Sequence, residues 1–216
     1  MGNAFVGAAG IRLSSLRRKG WRRAHMTEWL GFVTGAICVW LTVRTNVWTF
    51  PVGIANNGFF LVVFATAGLY ADAGLQVVFL ALAAHGWWQW LRRGADGERL
   101  VVRRGGPAAI GVALAAVVPA TALLTWLLTA VHDTAPFWDA LTTALSLAAQ
   151  WLLNTKRIET WYLWIAADLI YIPLYAAKGL YPTAAVYVLF LGLCLYGLRT
   201  WQRELGLPAS KPAVTA

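Results

Sequence analysis

The chain keeps its charges almost entirely outside seven long apolar segments, and this separation constrains its fold more than any other feature. The segments run over 28–43, 50–70, 72–91, 107–131, 135–154, 158–177 and 180–198. Of 27 charged residues, 18 Lys+Arg and 9 Asp+Glu, only Glu28, Asp72, Asp139, Glu159 and Asp168 lie within them. A soluble domain carries about 25% charged residues. This chain has 12%, with 59% hydrophobic residues, which is too little polar surface to coat a packed core in water. A helix that crosses ~30 Å of hydrocarbon needs about 20 apolar residues, so 216 residues hold seven crossings with tails and loops to spare. The expected fold class is an all-α integral membrane protein.

A net charge of +9 and a pI near 10.1 would point to nucleic acid in a soluble protein. Here the basic residues sit in short clusters between apolar segments, the pattern of cytoplasmic loops, and no nucleic-acid partner is expected. Cys38 and Cys194 both lie inside apolar runs and read as small buried hydrophobes, neither disulfide nor metal ligands. Residues 1–25 contain no apolar h-region of a cleavable signal. Four of the five in-segment carboxylates, Glu28, Asp72, Asp139 and Glu159, fall in first turns, where a carboxylate can cap exposed N–H groups. Asp168 falls near mid-span, where a charge is costly and marks function by default.

Sliding the sequence against itself by 111 residues gives 17 identities over positions 30–90, a sign of duplication. Gly68-Leu69-Tyr70 falls on Gly179-Leu180-Tyr181, and Gly86 with Trp90 falls on Gly197 with Trp201. Each copy spans three helices, so a fourth helix must return the chain to its starting side. The expected arrangement is 3+1+3: a basic tail (1–27), a first three-helix repeat (28–91), a basic loop with a linker helix (92–134), a second repeat (135–202) and a C-terminal tail (203–216). Parallel repeats of this kind place a substrate site at their interface, near the midplane.

In the sixth segment Trp161, Trp164, Asp168, Tyr171 and Tyr175 follow spacings of 3, 4, 3 and 4 and share one helix face, opposite Ile165, Ala166, Leu169 and Ile170. Two indoles, a carboxylate and two phenols form a stacking surface with a counter-charge, suited to a flat and cationic ligand. The plainer alternative is an aromatic belt with one buried aspartate. At the 111 offset Asp168 falls on Asn57, beside Asn56. Gln76, Gln89 and Gln150 add in-span amides for a neutral polar group, although glutamines also hold helices together. Pro51, Pro119 and Pro173 can kink their helices.

Enzyme readings find no support. The three histidines, His25, His85 and His132, form no His-Glu-x-x-His motif, and the chain has no Ser/His/Asp set and no glycine-rich phosphate loop. No catalytic residue, metal or cofactor is expected. A retinal pigment would need a lysine in the seventh segment, which has none.

Leu69-Tyr-Ala-Asp-Ala-Gly-Leu-Gln76-Val-Val-Phe, Gly86-Trp87-Trp88-Gln-Trp90, Phe137-Trp138-Asp139, Glu159-Thr-Trp161-Tyr-Leu-Trp164 and Lys178-Gly179-Leu180-Tyr181 together resemble the PnuC family of bacterial nicotinamide riboside transporters, over roughly residues 28–202. The resemblance implies a fold related to the SWEET transporters, facilitated diffusion across the inner membrane, and trapping of the substrate by a cytoplasmic riboside kinase. It also implies that Trp161 and Trp164 lie at the substrate site, with Asn56 and Gln76 at matching polar positions. Many members have asparagine where this chain has Asp168, a departure that fits a cationic pyridinium or a different vitamin. The expected function is therefore uptake of nicotinamide riboside, with thiamine or another vitamin heterocycle as the rival substrate, and a non-transporting receptor or scaffold as the rival class. Homo-oligomers are compatible with this reading.

With seven spans the termini lie on opposite sides. The N-terminal side collects seven basic residues and the other side eleven; if translation starts at Met26 the count becomes one against eleven. By the positive-inside rule the C-terminus and loop 92–104 are then expected in the cytoplasm.

Overall fold

The computed structural model describes residues 18–66, 68–95, 101–130 and 135–206. The expectations for most of the N-terminal tail, for the middle of loop 92–104 and for the end of the C-terminal tail lie outside the described residues, as does the side chain of Glu28.

The described chain forms seven helices: α1 (Arg18–Val43), α2 (Thr49–Thr66), α3 (Tyr70–Ala95), α4 (Gly106–Ala130), α5 (Pro136–Asn154), α6 (Glu159–Ala177) and α7 (Tyr181–Gly206). The seven apolar segments each became one helix. Their charged flanks belong to the helices as well: α1 begins ten residues before the apolar run, and α3 and α7 outrun theirs. Three helices, α2, α4 and α7, are long and apolar enough to cross a membrane by length and composition.

Helix α1 packs on α2 and α2 on α3; α5 packs on α6 and α6 on α7; α4 lies chiefly on α5. Between these groups α1 meets α7 and α3 meets α5. The last helix of each group thus packs on the first helix of the other.

The 111-residue offset recurs in the backbone. Helices α2 and α6 both close in a Schellman motif, with Gly68 (φ 77) and Gly179 (φ 74) in the left-handed region that glycine tolerates. The N–H groups of Gly68 and Leu69 donate to Ala65 and Phe64 (3.2 and 2.9 Å), and those of Gly179 and Leu180 donate to Ala176 and Tyr175 (3.0 and 2.9 Å). The ends of α1 and α5 repeat the same closure around Thr45 (φ 51) and Lys156 (φ 50). At both, an uncommon non-glycine left-handed conformation is held by the paired hydrogen bonds.

Side chains obey the offset too. Thr49 Oγ1 donates to the Cys38 carbonyl (3.1 Å) and Thr160 Oγ1 to that of Ala149 (2.8 Å). The Trp90 indole N–H donates to the Asn154 carbonyl (3.2 Å) and that of Trp201 to the Val43 carbonyl (3.3 Å). Phe50 meets Trp90 edge-on at 4.9 Å and Trp161 meets Trp201 edge-on at 5.4 Å. Each aromatic pair is admitted by a glycine: a Cβ on Gly86 would strike Phe50 and Asn154, and one on Gly197 would strike the Trp161 ring.

Two first-turn carboxylates make contacts beyond their own helices. Glu159 accepts the N–H groups of Gly105 (2.9 and 3.0 Å) and Gly106 (3.0 Å), so it caps α4, some fifty residues earlier. A short bridge between Arg103 and Arg157 aligns the two segments. Asp139, which is buried, pairs with Lys178 at 3.4 Å.

Because the Trp161 ring lies flush on Gly197, Gly197→Ala overpacks a filled interface and is expected to cost about 1–3 kcal/mol, lowering the melting temperature in detergent. Gly192→Ala on the same helix meets nothing within 4 Å and is expected to leave it unchanged or raise it.

Candidate functional site

The α6 stripe faces inward. Trp161, Trp164, Asp168, Tyr171 and Tyr175 are all buried, whereas Leu169 behind them is 56% exposed. The 3.6-residue repeat gives one helix two environments, and the side with indoles, carboxylate and phenols turns to α5 and α7. Tyr171, Tyr175 and Tyr187 of α7 form a three-ring cluster with centroids 4.6–5.7 Å apart. The Tyr171 hydroxyl is hydrogen-bonded with Thr142 and Ser146 of α5. Asp168 is 4% exposed. Its Oδ2 has no hydrogen-bond partner among the described residues, and the buried Cys194 of α7 stands beside it.

The amides gather elsewhere. Asn56, Asn57 and Gln150 line a cleft between α1, α2, α3 and α5, floored by Gly35, Gly53 and Phe50. Its water-accessible volume is about 20 Å³, room for about one water, so this conformation is closed around it. Asn56 Nδ2 donates to the Thr34 hydroxyl, and Gln150 Nε2 donates to Asn154 Oδ1 (3.2 Å). Gln89 bonds His85 on its own helix (3.1 Å). Gln76 is 1% exposed, and both its amide oxygen and its nitrogen are without partners among the described residues.

The residues singled out in the sequence are therefore not brought to one place: Asn56, Asn57 and Gln150 line a cleft, the Trp/Asp/Tyr stripe lies in the packed interior of α5–α7, and Gln76 is buried on α3 outside the lining of that cleft. Trp161 stands edge-on to Trp201 and is 1% exposed, so no ligand can stack on it in this closed conformation. At the 111 offset Gly53 matches Trp164 and Phe50 matches Trp161. The space that Gly53 leaves open on one side is filled by an indole on the other.

Cys194 and Tyr187 were missed as site residues. Both cysteines are free and buried, as their apolar runs imply, and Cys38 Sγ lies 3.7 Å from the Thr49 carbonyl. The signal for Tyr187 was present, because it matches Gln76 at the same offset.

This arrangement, a buried carboxylate and amides divided between two groups of three helices, defines a polytopic membrane protein with a polar interior. The family model described as nicotinamide mononucleotide transporter matches residues 25–203, and the chain belongs to this family of membrane transporters, the PnuC family. It is 27% identical to the nicotinamide riboside transporter PnuC of Escherichia coli K12, over 91% of this chain and 88% of that protein. It is 31% identical to the riboflavin/roseoflavin transporter RibM of Streptomyces davaonensis, over 81% of this chain and 84% of that protein. The fold matches the crystal structure of the vitamin B3 transporter PnuC, with a TM-score of 0.68 and 21% identity over 94% of this chain and 90% of that one.

An amide buried without partners costs stability that an apolar group of similar shape does not. Gln76→Leu is expected to raise the melting temperature of the ligand-free protein, by about 1–3 kcal/mol of relieved desolvation. A lower melting temperature would mean that the amide is already satisfied.

Proposed function

We propose that this protein takes up nicotinamide riboside across the bacterial inner membrane by facilitated diffusion. The observation that carries this reading is Asp168, a buried carboxylate with no basic partner among the described residues, set on a stripe of indoles and phenols. Nicotinamide riboside contains a flat pyridinium with a fixed positive charge. Its ring stacks on Trp164, and on Trp161 once that indole leaves Trp201; Asp168 supplies the counter-charge. Asn56, Asn57, Gln76 and Gln150 take the ribose hydroxyls and the carboxamide, and Tyr171 and Tyr175 close the far end.

The architecture we infer is seven membrane spans in a 3+1+3 order, α1–α3 and α5–α7 being parallel repeats joined by α4. The recurrence of hydrogen bonds at the 111 offset supports it. Rocking of one repeat against the other exposes the site alternately to each side. The two indole-to-carbonyl bonds, Trp90 to Asn154 and Trp201 to Val43, tie the repeats at one end, and Lys156 Nζ covers the Trp90 ring at 4.2 Å, so this end must part in one half of the cycle. Basic residues cluster at this end, which the positive-inside rule assigns to the cytoplasm, where phosphorylation by a riboside kinase keeps uptake downhill.

A second reading, transport of a neutral vitamin heterocycle such as riboflavin, is favoured by the likeness to RibM. Calorimetric titration of the purified protein separates the two. Nicotinamide riboside is expected to bind, with excess riboflavin and thiamine failing to displace it. Asp168→Asn keeps the shape and removes the charge, and is expected to weaken binding by about 2–5 kcal/mol. Displacement by riboflavin together with an indifferent Asp168→Asn would transfer the assignment to the flavin. Trp164→Ala is expected to lose about 1–3 kcal/mol of stacking, part of it regained in Trp164→Tyr; a neutral alanine would return the indole to a packing role.

A further inference from the structure

Beyond the transport site, a second groove opens on the outer surface between the start of α4, the start of α6 and the end of α7. It holds about 640 Å³ and is lined by Arg104, Ile110, Gly111, Leu114, Tyr162 and Gln202 among others. Its two ends differ chemically. At the mouth stand the Arg104 guanidinium, which makes no ion pair among the described residues, and the Gln202 amide. Arg157 lies close by, with Nη1 2.7 Å from where a Cβ on Gly105 would stand. The one carboxylate in the lining, Glu159, is already committed to three backbone N–H groups and is 5% exposed. The cations at the mouth are therefore left for an external anion. Away from the mouth the groove is apolar: Ile110 and Leu114 are 42% and 49% exposed, and Gly111 between them leaves a smooth slot with nothing within 4 Å of its missing side chain.

We propose that this groove is a binding site for one anionic phospholipid. The phosphate sits on Arg104 with the Gln202 amide and the Tyr162 hydroxyl, and one acyl chain runs along Ile110, Gly111 and Leu114. Charge complementarity fixes the occupant: a basic mouth over an apolar slot in a lipid-facing helix suits an acidic headgroup with its tail, and a free anion would leave the slot unfilled. The bound lipid would hold the start of α4 against α6 and α7, alongside the Glu159 cap. The site is independent of the substrate assignment, because its readout is lipid retention and not transport.

The test is native mass spectrometry of the full chain in mild detergent, loaded with equal phosphatidylglycerol and phosphatidylcholine of matched chain length. The wild type is expected to retain one phosphatidylglycerol per chain, about fivefold over phosphatidylcholine, since one arginine near an anionic headgroup is worth about that factor. Arg104→Gln is expected to abolish the preference. Gly111→Phe, whose ring enters open space, is expected to reduce retention of both lipids. Equal retention of the two lipids by the wild type, or undiminished phosphatidylglycerol on both variants, would overturn the proposal.

Discussion

Two indole N–H groups tie the two groups of helices together. Trp90 and Trp201 each reach out of the third helix of one group and donate to the last carbonyls of the first helix of the other, Asn154 and Val43. Those carbonyls belong to helix ends that have no further turn to accept from them, and in an apolar solvent an unpaired carbonyl is costly. The bond therefore satisfies a helix terminus and joins two bodies at once. Its geometry depends on Gly86 and Gly197, which let Phe50 and Trp161 lie flat against α3 and α7. The amide cleft, with room for about one water, and the buried Asp168 lie within the same packed helices.

The division of polar groups gives the transport reading its physical logic. Where α2 has Gly53 and Asn57, α6 has Trp164 and Asp168. A duplicated frame is asymmetric inside: α2 offers neutral amides to a small cleft that α5 completes with Gln150, while α6 has a charged and aromatic face. A ligand with a cationic ring and a neutral sugar has two ends that match these two surfaces. On the proposed reading such a ligand engages both groups, and this couples its occupancy to their relative movement.

Much of the fold was legible in the sequence because lipid leaves few choices. Seven apolar segments became seven helices, and the glycines that end α2 and α6 were visible as the Gly-Leu-Tyr repeat. The left-handed residues Thr45 and Lys156 were not legible. They are not identical at the 111 offset, and neither favours that conformation on its own; the flanking hydrogen bonds impose it. Glu159 was misread for a related reason. First-turn position predicts a local cap, but Gly105 and Gly106 are brought to it by tertiary packing across some fifty residues, and no local rule contains that. At the site, periodicity alone identified the inward face of α6. It could not reveal that Trp161 is sealed by Trp201, or that Cys194 stands beside Asp168, since both come from α7.

The central claim is that a cation crosses with no ion exchanged for it. Reconstituted in sealed liposomes with an imposed potential, the protein would then move one net charge per nicotinamide riboside, and one charge across 100 mV corresponds to about 2.3 kcal/mol. The account predicts that labelled riboside accumulates inside when the interior is negative, rising about tenfold for roughly each 60 mV, and that the gradient collapses when the potential is dissipated. Uptake that reaches only equal concentrations regardless of potential would contradict it, because a second ion would then have to balance the charge of each riboside that enters.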